Sequence, residues 1–82
     1  MRRQPQKKRK VDYAALKSPF MRIPRMDVVG ARALLDLGFR EIYELRGRDP
    51  ESLVADLSKI KVEIPSEMLK YMKLATDFAE TQ

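Results

Sequence analysis

The chain has no cysteine, no histidine and no long apolar run. Each absence closes a class of chemistry. Without cysteine there is no disulfide, no thiolate nucleophile and no sulfur ligand for a metal; without histidine the usual general base at neutral pH and the imidazole zinc ligand are gone as well. No stretch approaches the roughly 18–20 apolar residues that a membrane span needs. The basic N-terminus is not followed by the continuous apolar segment of a secretory leader. There is no glycine-rich strand-to-helix phosphate loop, and no group of carboxylates stands at metal-ligand spacing. The expectation is a soluble, cytoplasmic, non-enzymatic protein with no cofactor, no membrane partner and no small-molecule substrate. A chain without cysteine also suits a reducing compartment.

What is present is charge, unevenly placed. The net charge is +5 and the pI about 9.7. Residues 1–10 hold Arg2, Arg3, Lys7, Lys8, Arg9 and Lys10 with no acid, whereas the other 72 residues carry 11 basic and 12 acidic side chains, a net of −1. The basic character therefore belongs to the tail and not to the body, which points to an arm able to touch polyanions rather than to a uniformly basic surface. Residues 1–11, MRRQPQKKRKV, have too little apolar content to offset ordering entropy, and the sequence predicts a disordered basic arm there. The string KKRKV also resembles a short nuclear import signal; a solvated tail or a nucleic-acid arm are the other readings of it.

The remaining residues, 12–82, suit one domain, since 82 residues can build one compact core and no more. Their apolar residues recur at helical spacing. Tyr13, Leu16 and Phe20 fall on one face of a short first helix, interrupted by Pro19 and ended by Pro24. Val28, Ala31, Leu34 and Leu35 form the stripe of a helix over 28–37, with Gly38 placed to stop it and Phe39 to pack back across the stop. A short helix over 41–45 turns Ile42 and Leu45 inward. Asp49 and Pro50 open a helix that runs to about Lys59, with Leu53, Val54, Leu57 and Ile60 toward the core. The last helix, about 66–80, carries Met68, Tyr71, Met72, Ala75, Phe78 and Ala79 at spacings of three and four. Met21, Met26, Met68 and Met72 read as flexible core fillers. No strand alternation appears, so the expected fold class is all-α, with about five short helices.

Residues 20–39 read FMRIPRMDVVGARALLDLGF. Helix-hairpin-helix proteins have a hydrophobic residue, proline, glycine, a hydrophobic residue and glycine, followed by a helix with a small residue, paired leucines and a closing glycine. Ile23, Pro24, Met26, Ala31, Leu34, Leu35 and Gly38 fall at matching positions. With ELRGRDPESL at 44–53, residues 13–80 resemble the small bacterial helix-hairpin-helix family labelled pathogenicity-locus or mitomycin-resistance-associated proteins. The resemblance implies one or two helix-hairpin-helix units in a SAM-like arrangement, and DNA as a partner.

The departures from that pattern bear on function. Arg25 and Asp27 stand where the family has its two hairpin glycines, residues that let backbone amides approach a phosphate. Arg25 could reach a phosphate with its side chain, but the Asp27 carboxylate would repel one, or cap Val29 or Gly30 instead. A second candidate hairpin is Arg46-Gly47-Arg48, where glycine is kept; its plain alternative is a turn with solvated charges. For Arg25 and Arg32 the plain alternative is a solvated helix edge.

The leading expectation is sequence-independent binding of DNA, with RNA as a further candidate, through phosphate contacts from Lys7, Lys8, Arg9, Lys10, Arg25, Arg32, Arg46, Gly47 and Arg48, in DNA repair or maintenance. Base readout is not indicated, because no helix start gathers Arg, Asn and Gln. The alternative is a helical protein-interaction module that has lost phosphate binding, as Asp27 suggests.

Overall fold

The computed structural model describes residues 11–82. The expected disordered arm, apart from Val11, lies outside them. The described chain is all-helical, with no strand: α1 (Tyr13–Leu16), a 3-10 turn (Pro19–Arg22), α2 (Val28–Asp36), a second 3-10 turn (Ile42–Leu45), α3 (Pro50–Ser58) and α4 (Met68–Glu80).

Local chemistry sets most of these boundaries. Asp12, Asp27 and Asp49 each precede a helix and accept a hydrogen bond from one of its free amides, those of Ala15, Val29 and Ser52 respectively. Pro50 occupies the first turn of α3, where a missing N–H costs nothing. Gly38 ends α2 at φ +98. There the Phe39 amide donates to the Leu34 carbonyl at 3.0 Å and the Gly38 amide to Leu35 at 2.9 Å, the paired bonds of a Schellman stop. The 41–45 helix is a 3-10 turn instead of an α-helix, and Ile42 and Leu45 do face inward.

One apolar core joins the elements. Phe20, Leu34, Leu45, Leu57 and Met72 are its largest fully buried side chains, so every element except α1 contributes one of them, and α1 adds the fully buried Ala15. The longest helix, α4, packs on α3 and on the second 3-10 turn, while α1 packs on α2. Where α2 meets α4, Gly30 allows a close approach: a Cβ there would lie 2.9 Å from Tyr71 Cβ and 2.6 Å from Met26 Sδ. Met26, Met68 and Met72 are buried, as gap-filling thioethers should be.

Three elements differ from the apolar pattern. Tyr13 and Leu16 are 63% and 45% exposed, because Ala15 is the residue that α1 turns inward. Ile60 is 57% exposed, because α3 ends at Ser58 and the chain turns away before it. In α2 the buried face is Gly30, Ala31, Ala33 and Leu34, so Leu34 is fully buried and Leu35 only packs against the core from the side. Small residues, Gly30, Ala31 and Ala33, are buried beside Leu34, and Val28 and Leu35 are left half-buried at the sides.

Candidate nucleic-acid interface

The two turns singled out in the sequence are built differently. In the first, Pro24 and Arg25 are the central residues of a turn closed by the Met26 amide donating to the Ile23 carbonyl at 3.1 Å. Arg25 has φ +69, the one non-glycine residue at positive φ among the described residues. Proline followed by a residue at positive φ is the signature of a type II turn, which normally takes glycine second. The backbone therefore keeps the conformation expected for a glycine while carrying an exposed arginine. Ile23 and Met26, on either side, are buried and anchor the turn to the core.

Asp27 follows at φ −102 and ψ 157, ordinary extended backbone. Its carboxylate accepts from the Val29 amide at 3.1 Å. Of the two residues set against the glycines of the helix-hairpin-helix pattern, only Arg25 stands at a position where glycine's conformational freedom is used. Asp27 is a helix cap.

The second turn has glycine at positive φ, Gly47 at +76, with open space where a Cβ would be. Its amide is engaged within the chain: it donates to Glu80 Oε2 at 2.7 Å. Arg46 reaches the same end of α4, where Nε donates to the Ala79 carbonyl at 3.2 Å and Nη2 to the Gln82 carbonyl at 2.9 Å. A cation on the last carbonyls of a helix complements its macrodipole. Arg48 lies over the Phe39 ring, 5.2 Å from its centroid, as a cation–π contact.

Arg32 is not at either turn. It sits in α2 between two carboxylates. Nε and Nη2 grip both oxygens of Asp12 at 2.8 and 2.7 Å, and Nη1 reaches Asp36 at 3.2 Å. Lys61 Nζ adds a contact 2.8 Å from Asp36 Oδ2, an ion pair outside the directional geometry of a hydrogen bond. The Arg32 hydrogen bond, with the Ala15 amide, holds the Asp12 carboxyl down at about 2. Partial burial alone would raise Asp36, but Lys61 and Arg32 outweigh it and keep that carboxyl below its ordinary value. The Arg32 guanidinium is raised in turn by the same two hydrogen bonds. The network ties the start of α1 to α2 and to the loop after α3. It also rims a mainly apolar cleft of about 340 Å³ lined by Val28, Val29, Ala33, Leu57 and Met68.

The proposed phosphate contacts thus separate into three groups. Arg25 and Arg48 are exposed side chains without a carboxylate partner among the described residues; Arg32, Arg46 and the Gly47 amide already have partners within the chain. Lys7, Lys8, Arg9 and Lys10 lie outside the described residues. Two partners were missed in the sequence. Asp12 is 20 residues from Arg32 and Glu80 is 33 residues from Gly47, separations with no local pattern. Asp36 is different, because its i,i+4 relation to Arg32 is a readable signal.

Compared with protein-family models, curated proteins and solved structures, the chain matches none of them. Among the described residues, no helix is long and apolar enough to cross a membrane.

Proposed function

We propose that the chain is a non-enzymatic helix-hairpin-helix module of the cytoplasm that binds duplex DNA through its phosphate backbone, using the turn at 23–27 as its structured contact. The observation that carries this reading is Arg25 at φ +69. An L-residue in this region costs roughly 1–2 kcal/mol relative to ordinary backbone. A chain that keeps the strained turn and fills it with an exposed guanidinium has a phosphate donor at the tip of a rigid loop. The six basic residues of 1–10 add long-range attraction of the same sign. Neither contribution reads base identity, so the binding is independent of sequence.

The test is an anisotropy titration with a short duplex at two or more salt concentrations, on wild type and Arg25→Gly. Glycine suits the turn's backbone and removes the exposed side chain with its guanidinium. With four to six phosphates neutralised, log K should fall with log salt at a slope of about −4 to −5, and Arg25→Gly should flatten it by about one. Stability should not fall. An unchanged slope would take the turn out of the interface.

A second reading is supported by one specific feature. At both turns a carboxylate of the chain itself sits on a backbone amide, Asp27 on Val29 and Glu80 on Gly47. A module with both hairpins occupied in this way would serve protein partners. Absence of duplex binding at low salt would select it.

A further inference from the structure

Glu80 is the last residue of α4, yet its carboxylate is turned onto the amide of Gly47, in a turn that carries an arginine on each side. We propose that the turn at 46–48 is a second anion site whose resident anion is the Glu80 carboxylate, and that a DNA phosphate takes the place of Glu80 when that contact opens. This rests on the DNA-binding reading and adds a masked site to it.

Three features of the turn fit an oxyanion of phosphate chemistry. Gly47, at φ +76, is exposed and has nothing within 4 Å of the position of a Cβ, so no side chain crowds the turn on that side. The contact of 2.7 Å is short for an N–H···O bond, as charged acceptors make it. Arg46, beside it, donates to the main-chain oxygens of Ala79 and Gln82 and makes no ion pair with an Asp or Glu side chain among the described residues. A backbone amide with a guanidinium beside it is the donor set a phosphate diester needs, and a carboxylate is the nearest equivalent that a protein chain supplies.

The mask can open without unfolding the core. Beyond Ala79, Glu80, Thr81 and Gln82 are all exposed, and besides the Arg46 contacts the last turn is closed by the amides of Thr81 and Gln82 donating to Phe78 and Ala79 and by the Thr81 hydroxyl donating to Phe78. Helix ends of this kind open at little free-energy cost, while Ala75 and Ala79 stay in the core.

The experiment is the same duplex titration on wild type, Glu80→Ala, Glu80→Gln and Glu63→Gln, with helicity followed by circular dichroism. Glu63→Gln removes an equal charge beyond the other end of α3 and controls for general repulsion. Glu80→Ala should tighten binding about 3–10-fold at low salt and steepen the salt slope by about one, the mark of one added phosphate. Glu80→Gln, which loses the charge but keeps an oxygen for the Gly47 amide, should give a smaller gain that still exceeds that of Glu63→Gln. If Glu80→Ala loses helicity, Glu80→Gln alone decides. Wild-type binding with no gain at Glu80 beyond the Glu63→Gln control overturns the masked site and leaves the first turn's role standing. No binding by wild type or by any variant overturns both.

Discussion

The turns at 23–27 and 46–48 place a backbone at positive φ beside an arginine, yet they put that geometry to different use. In the first, the strained residue is itself the arginine, and the residues on either side are buried apolar anchors. In the second, glycine takes the conformation without strain, and Arg46 and the Gly47 amide are engaged with the end of α4. The first turn is held from beneath by the core and keeps its polar face outward. The second is held by polar contacts to another helix, so its amide is covered until Glu80 moves. The placement of glycine in the sequence points the other way, since glycine stands in the turn that the fold closes. Side-chain identity at a turn is therefore a poor guide to which backbone amides are free; the location of distant carboxylates decides it.

The comparison can be broken or sharpened by substitution. The largest effect is expected at the scaffold common to both turns. Leu34→Ala should cost about 3–5 kcal/mol in chemical denaturation, since the side chain is fully buried, and Leu35→Ala clearly less because Leu35 packs from the side. Equal losses at the two leucines would contradict the direction in which α2 faces. Next is Gly30→Ala. The new methyl would crowd Tyr71 Cβ and Met26 Sδ, and overpacking of this kind costs about 1–3 kcal/mol. Because Met26 belongs to the first turn, this variant should weaken duplex binding as well, whereas a stability loss with full affinity would show that the turn does not depend on the α2–α4 contact.

Smaller and opposite effects are expected at the two positive-φ residues. Gly47→Ala puts an L-residue where only backbone strain opposes it, and should cost about 1 kcal/mol. Arg25→Gly relieves strain of that size against the higher entropy of an unfolded glycine, so its stability should be unchanged or up to about 1 kcal/mol higher. Thermal or urea unfolding of the pair checks both signs, and a destabilised Arg25→Gly would mean the guanidinium is structural. Asp27→Asn should keep the helix cap while removing a charge, and tighten duplex binding a few-fold. Asp27→Gly should be less stable than Asp27→Asn, because at φ −102 glycine relieves no strain.

Acid provides the mildest perturbation. Asp12 is depressed to about 2 by Arg32, and Asp36 is lowered despite partial burial. A carboxyl with a depressed folded value contributes stability that is complete above its unfolded value near 4 and is lost as pH falls through the folded one. The Asp12–Arg32–Asp36–Lys61 network should therefore release stability between about pH 4 and pH 2, and Asp12→Asn should reduce the stability change across that window. An identical acid profile in that variant would show that the pair contributes nothing in solution.

Much of the helical layout could be read from residues. Asp12, Asp27, Asp49 and Pro50 are local signals whose hydrogen bonds lie within three residues, and Gly38 is a local stop. Burial of α1 could not be read, because a four-residue helix has too few positions to define a stripe and its rotation is set by packing against α2. Ile60 continued the spacing of α3 but fell beyond its end. For the candidate site, the odd placement of Arg and Asp at the first turn was visible, and so was the capping role of Asp27. The closure of the second turn by Glu80 was not, since it depends on how α4 returns across the molecule.

The most direct test of the difference between the two turns is a nitrogen–proton correlation titration of the wild-type protein with a short duplex at low salt. The amides of residues 25–29 should shift first as DNA is added, while the Gly47 amide, from which Glu80 must be displaced, should shift later and less. Movement of Gly47 with residues 25–29 unperturbed would contradict the account.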